Sequence, residues 1–306
     1  MKKLAFIFTS IVVLGITSCS NNKNEEQNSE KLYVVATTGM VADMVKQVSG
    51  EKVEVEALMG EGVDPHLYKP SQSDLPKLRK ANIIFYNGLH LEGKMTEILE
   101  KLGKDKPVYA LSSSIPTSKL HLVEGTNTYD PHIWFDVSLW ASTAPFVAQK
   151  LSEIDQKNAS FYHQNAQSYQ KQLDSLHADI QLQIQQIPQE SRVLITAHDA
   201  FGYFGKAYQI EVRGLQGIST VSEFGVKDVT DLVDFIVSKK VKAVFVESSV
   251  ASKSIEAVIL GCQKKKHTVK LGGMLFSDAM GAKNSPEGTY VGMVKHNVRI
   301  IVNALK

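Results

Sequence analysis

Two loops of this chain carry the same tripeptide, Asp-Pro-His, ending at His66 and at His132. Proline fixes its own φ and holds the preceding Asp extended, which stiffens the loop that presents the imidazole. His198 closes the apolar run RVLITAH, and Asp278 closes TVKLGGMLFSD, so both stand at or just past the end of a predicted strand. Ligands of open α/β sheets bind outside the carboxyl ends of strands. His66, His132, His198 and Asp278 are therefore candidates to face one cleft, a mixture of imidazole and carboxylate that suits a first-row divalent ion. A metal-ligating His normally gives its second ring N–H to a carboxylate or carbonyl, and Asp64 and Asp130 stand two residues before His66 and His132. The other His are less informative. His163 and His177 are expected on solvated parts of a long helix, and His267 follows a lysine run and is expected exposed. His90, His121 and His296 receive no role. The even spacing of 66, 132 and 198 reflects no internal repeat in the surrounding sequence.

The elements that must position these side chains alternate. LYVVAT, VEVEALM, NIIFYNG and PVYALSSS read as strands, separated by helical patterns over TGMVADMVKQVSG, SQSDLPKLRKA (with a Ser cap) and LEGKMTEILEKLG. A helix over LWASTAPFVAQKLSEI, interrupted by Pro145, follows the second Asp-Pro-His. The rhythm restarts at RVLITAH and continues through EVRGLQGI, KAVFVES and TVKLGGMLF to a closing helix over GTYVGMVKHNVRIIVNAL. Such alternation predicts an α/β fold of two lobes, each a mostly parallel sheet flanked by helices.

Residues 158–187 lie between the two runs and contain no Gly or Pro. Tyr162, Ala166, Tyr169, Leu173, Leu176, Ile180, Ile184 and Ile187 recur at steps of three and four, one stripe of a helix. Asn158 is the candidate N-cap, and Pro188 disfavours helix at Ile187. Thirty residues make a rod of about 45 Å, read here as a rigid strut linking the lobes. The domain plan is residues 32–157, the linking helix 158–187, and residues 188–306.

The amino terminus reads as a lipoprotein signal peptide over residues 1–18. Lys2 and Lys3 precede an apolar run too short to span a bilayer, and the run ends in ITSC. Cys19 is then the lipid anchor, and residues 19–31 a polar, flexible tether. Loss of the leader removes two lysines from the 34 basic residues and leaves them equal to the 32 acidic ones. A neutral balance gives no reason to expect nucleic-acid binding. Cys262 is the only other Cys, which excludes an intramolecular disulfide in the mature chain and reads as a buried apolar residue.

GVDPHLYKP, DPHIWFD, AHDAFGYF and FSDAMG resemble the four metal-site motifs of the TroA-like solute-binding receptors of zinc and manganese ABC transporters. The resemblance extends over nearly the whole mature chain, including TTGMVADMV, VFVESSV and the terminal helix. It implies two α/β lobes on a single rigid backbone helix, and His66, His132, His198 and Asp278 as metal ligands. Members devoted to manganese tend to have Glu where this chain has His198, and zinc-dedicated members often carry a long His- and acid-rich loop. Here TSKLHLVEGTNTYD holds only His121, so the chain matches neither pattern fully. Three imidazoles favour Zn2+ and the carboxylate leaves Mn2+ open. Asp64, Asp130 and Glu247 are expected to support the ligands, with Asp136 and Asp199 as further acids nearby.

The function so implied is an exported, lipid-anchored receptor facing the periplasm or cell exterior. It captures a divalent metal and hands it to an ABC permease, as a monomer and not as an enzyme. Because a ligand His must be neutral, affinity is expected to fall as pH drops through about 6.5. The rival reading is a secreted zinc hydrolase with a tri-His site and Asp278 or Glu223 as base, but no HExxH or nucleophile-elbow motif accompanies it. A third is an adhesin or structural lipoprotein in which the metal is only a staple.

Overall fold

The computed structural model describes residues 31–306. The leader, Cys19 and the tether through residue 30 lie outside them. The first lobe begins with β1 (Leu32–Ala36), α1 (Gly39–Ser49) and β2 (Val53–Ala57). It continues with α2 (Asp74–Lys80), β3 (Ile83–Tyr86), α3 (Thr96–Leu102) and β4 (Val108–Ala110). All four strands are parallel, in the order β2-β1-β3-β4. Val34, Val35, Ile83 and Ile84 are completely buried, as strands covered on both faces must be. α1 is bounded by its own residues. The Thr38 hydroxyl accepts from the Val41 amide, and Gly50 leaves the helix at φ +52°, returning its N–H to the Lys46 carbonyl.

The Ser cap expected for α2 is not made. Ser73 occupies the position without bonding a helix amide, its hydroxyl pairing with that of Ser71, and the Asp74 carboxylate instead accepts from the Ser71 amide and hydroxyl. The helical run around Pro145 is two helices, α4 (Val137–Ala141) and α5 (Ala144–Ile154), with the proline in the first turn of the second, where its missing N–H costs nothing.

The long helix, α6, spans Ala159–Ile184, roughly 39 Å of rod. It is shorter than the expected 158–187 at both ends, and at the carboxyl end it stops before the last stripe residue, Ile187. Asn158 stands at the cap position, but its side chain donates to Asp155, and residues before it form a short 3-10 turn. Past Ile184 the chain tightens, with the Ile187 amide bonded to the Ile184 carbonyl ahead of Pro188. All eight stripe residues are buried.

The second lobe holds β5 (Val193–His198), α7 (Gly202–Tyr208), β6 (Glu211–Gln216), α8 (Val226–Lys239), β7 (Ala243–Glu247), α9 (Lys253–Lys264), β8 (Lys270–Leu275) and α10 (Tyr290–Leu305). β5 pairs in parallel with β6, and β7 with β8. One hydrophobic cluster runs without interruption from Val34 and Met40 of the first lobe, through the α6 stripe, to Tyr290, Ile301 and Leu305 of α10. Two smaller clusters lie on the outer faces of the sheets; one of them includes Cys262 with Ile255 and Val258, the expected buried apolar role. Among the described residues no helix is long and apolar enough to cross a membrane.

Candidate metal centre

The structure brings His66, His132, His198 and Asp278 together, with one ligand atom from each lying within 4.8 Å of the others. They come from four places. His66 lies in the loop after β2, and His132 in the loop that enters α4. His198 is the last residue of β5, and Asp278 stands three residues past β8. The Nε2 atoms face inward: His66 and His132 are 3.4 Å apart there. The Asp278 carboxylate lies 3.2 Å from His198, 3.4 Å from His132 and 3.5 Å from His66. A tetrahedral ion with Zn–N bonds of about 2.0–2.1 Å spaces its donors about 3.3–3.4 Å apart, which the His66–His132 spacing matches, while Asp278 turns Oδ2 toward His66 and His198 and Oδ1 toward His132. His198 Nε2 and both Asp278 oxygens are buried without a hydrogen-bond partner, which a ligated ion would satisfy.

The outward nitrogens are held. Asp130 Oδ1 lies 2.7 Å from His132 Nδ1 and also accepts the His132 amide at 2.9 Å. Glu247 stands in the corresponding place on His198, with Oε2 in ion-pair contact 2.5 Å from Nδ1 and Oε1 accepting the backbone N–H at 2.9 Å. Both carboxylates fix the ring so that Nε2 is the donor. Asp64 is different: it accepts the His66 amide at 2.8 Å, and among the described residues no carboxylate faces His66 Nδ1. Asp136 has another task, accepting from the Ser138 and Leu139 amides to cap α4. Asp199 sits behind the centre, its amide bonded to the Gln216 carbonyl.

Burial pushes the His66 imidazole down to about 4. Burial also works against charge on His132, but the Asp130 and Asp278 carboxylates outweigh it and hold that ring up at about 9. His198 is held well above its ordinary value, since Glu247 and Asp278 overcome its burial. Asp278 would be raised by burial, yet the His198 and His132 rings keep it well below the usual carboxylate range. The centre is thus a carboxylate anion ringed by imidazoles in near-complete burial, with His66 2 % exposed and Asp278 1 %. A crevice of about 490 Å³ lined by Asp43, Lys46, Met59, Met280 and Thr289 lies elsewhere and includes none of the four.

Several supporting residues carried no signal that sequence reasoning used. Glu92 is buried and accepts from the Asn87 and Gly88 amides and the Thr37 hydroxyl, tying a turn in which Gly88, Leu89 and His90 all have positive φ. That turn supports both Asp-Pro-His loops: Asn87 Nδ2 donates to the Pro131 carbonyl, and a Cβ on Gly93 would stand 2.4 Å from the His66 carbonyl oxygen. NGLHLEG has no recognisable spacing, so only the fold reveals it. Gly202 is more legible. It lies inside AHDAFGYF, and its bare α-carbon makes room for the Asp130 carboxylate, 2.8 Å from where a Cβ would be. His121 stacks on Tyr203, whose hydroxyl donates to the Asp130 carbonyl. His177 and His267 are half-buried rather than free, bonded to the Tyr208 hydroxyl and the Val241 carbonyl.

A closed, ion-sized centre between two parallel α/β lobes braced by one long helix defines a helix-braced, two-lobed binding protein. Comparison with known proteins places the chain more narrowly. It belongs to the family described as zinc-uptake complex component A, periplasmic (ZnuA), which matches residues 34–304. It is 46 % identical over 292 residues to the manganese-binding lipoprotein MntA of Bacillus subtilis, covering 95 % of each chain. It is 45 % identical over 294 residues to the zinc-binding protein TroA of Treponema pallidum, covering 96 % of this chain and 95 % of that protein. The solved structure of the periplasmic zinc-binding protein TroA from Treponema pallidum matches with a TM-score of 0.88 at 47 % identity. That match covers 90 % of this chain and 99 % of the other.

Proposed function

We propose that this protein is an extracytoplasmic receptor that captures a divalent transition metal and delivers it to an ABC permease for uptake. The observation that carries the reading is the single buried centre of three inward-facing imidazoles and one carboxylate, drawn from both lobes. Its donors are His66, His132, His198 and Asp278, with Asp130 and Glu247 fixing two of the rings. Zn2+ and Mn2+ are the ions to consider. The relatives named for manganese and for zinc are about equally similar, so likeness does not choose between them. The donor set leans to zinc, because imidazole suits it and manganese prefers more oxygen.

In this reading residues 1–18 are removed on export, Cys19 carries the lipid, and residues 19–31 tether the molecule at the outer face of a membrane. Residues 32–157 and 188–306 act as the two lobes and 158–187 as their link. The protein works as a monomer and is not an enzyme. A hydrolytic zinc keeps one position for water and a base beside it. Here Asp278 faces all three imidazoles as a fourth donor, and Glu223, the other candidate base, is exposed on a loop. Asp278→Ala tests the reading. The variant is expected to keep its circular dichroism and to lose more than about 100-fold in zinc affinity, beyond the 10–100-fold typical of outer partners. An unfolded variant points to a structural staple, and unchanged affinity removes Asp278 from the centre.

A further inference from the structure

With its donors 0–2 % exposed, an ion at this centre has no path to solvent while the surrounding loops keep their places. Three of the four donors are built into the body. His132 is held by Asp130, and its neighbour Trp134 donates to the Ser277 carbonyl while accepting from the Tyr290 hydroxyl. His198 is inside β5 and bound to Glu247. Asp278 follows Phe276, whose amide and carbonyl are both bonded to the Asn297 side chain. His66 rides on a long loop, residues 58–73, backed at its carbonyl by Gly93, and is the one imidazole of the three without a carboxylate on its outer nitrogen.

Among the described residues, one hydrogen bond joins that loop to the second lobe. Thr220 Oγ1 donates to Asp64 Oδ2 at 2.6 Å, while the other Asp64 oxygen accepts the His66 amide. Thr220 lies in the loop between β6 and α8, which continues through residues 221–225, all exposed. The loop is rooted by Gln216, whose Nε2 donates to the Thr220 and Ser222 carbonyls at 2.6 Å each. Gln216 in turn pairs with His198 across the β5–β6 ladder. A chain of bonds therefore runs from the strand of one donor to the amide of another, and its single link across the cleft is Thr220 to Asp64. Gly62, at φ +67°, brings the tip of the first loop beside the Ser248 carbonyl, so the two sides meet there by contact alone.

We propose that Thr220 is the latch of a gate over the metal centre: breaking its bond to Asp64 frees the His66 loop, and the ion enters and leaves between residues 58–73 and 217–225. The proposal rests on the metal-receptor reading and adds a route and a rate-setting residue to it. A gate that limits passage slows capture and release together, whereas a residue that only positions His66 changes the held ion.

The test uses full-length protein, with zinc release into a chelator and zinc capture both followed by stopped flow. Thr220→Val, which keeps the shape and loses the hydroxyl, is expected to release zinc about tenfold faster, equivalent to about 1.4 kcal/mol, and to capture it faster as well. Thr220→Ser is expected to restore both rates, and the visible spectrum of bound Co2+ is expected to match the parent in both variants. Unchanged rates in Thr220→Val, with normal zinc binding by the parent, overturn the gate alone. Faster release with unaltered capture and a changed Co2+ spectrum reduces Thr220 to a positioning role and also overturns it. Failure of the parent protein to bind zinc takes down the receptor reading and the gate with it.

Discussion

The three imidazoles of the centre share one geometry and hold protons very differently. His66 is pushed down to about 4 by burial, so it is neutral and ready to ligate across the physiological range. His132 is held up at about 9 by its two carboxylates, and His198 is raised well above its ordinary value by Glu247 and Asp278. An ion must displace the protons on those two rings, because only neutral imidazole ligates. The sign follows: raising the pH removes the competing proton, so affinity climbs with pH, and the loss on acidification begins above neutrality rather than near the ordinary His value of about 6.5. Between pH 6 and 8 zinc affinity is expected to rise steeply, approaching about two decades per pH unit when both protons are displaced. Chelator competition at several pH values, with proton release followed by an indicator in weak buffer, measures both. Affinity independent of pH with no protons released contradicts the argument. Asp64 and Asp130 occupy the same place in their motifs, yet the sequence could not say that Asp130 reaches its ring while Asp64 reaches across the cleft to Thr220. Glu247 lies on β7, and its approach to His198 depends on how β7 sits beside β5, which no local pattern records.

α6 is where local pattern and tertiary packing agree best. Its stripe was legible because a 3.6-residue period with no Gly or Pro has one helical solution, and every stripe residue is buried. Its ends were less legible, since Asn158 and residues 185–187 are governed by contacts with their neighbours, such as the bond from Asn158 to Asp155. That it links the lobes was legible, but the side chains that anchor it to each were not. On the first lobe the Tyr169 hydroxyl donates to Asp43 and Asn165 donates to the Val48 carbonyl. On the second His177 bonds the Tyr208 hydroxyl. Leu173 lies between these anchor points and is 0 % exposed. Leu173→Ala is expected to lower the unfolding free energy by about 2–5 kcal/mol in urea denaturation while leaving zinc affinity within a few-fold, because α6 contributes no donor. A large loss of affinity at unchanged stability would show that the helix transmits to the centre, contrary to its role as a brace.

A two-lobed receptor can open by a hinge or by local loop movement, and the core of this molecule bears on the choice. The largest apolar cluster is shared: Met40 and Val41 of α1, the α6 stripe, and Tyr290, Val298 and Ile301 of α10 pack as one body. Trp134, Tyr203 and Tyr290 add buried hydrogen bonds between the lobes on the His132 side. Swinging the lobes apart would break that body, at a cost of about 25 cal/mol for each Å² of apolar surface exposed. Moving the part of residues 58–73 around Asp64 and His66 against 217–225 breaks one half-buried hydrogen bond across the cleft and a patch of contact, while Leu58 and Met59 keep their bonds to Ala36 and Thr37. The cheaper motion is the local one, so metal is expected to order the two loops and leave the brace alone. Amide hydrogen exchange of the zinc-loaded and chelator-stripped protein reads this directly. Protection on zinc binding is expected in residues 58–73, in 217–225 and around the donors, with α6 and α10 exchanging equally slowly in both states. Protection gained along α6 or α10 would mean that the lobes themselves separate, and the shared core would then be a weaker restraint than its burial indicates.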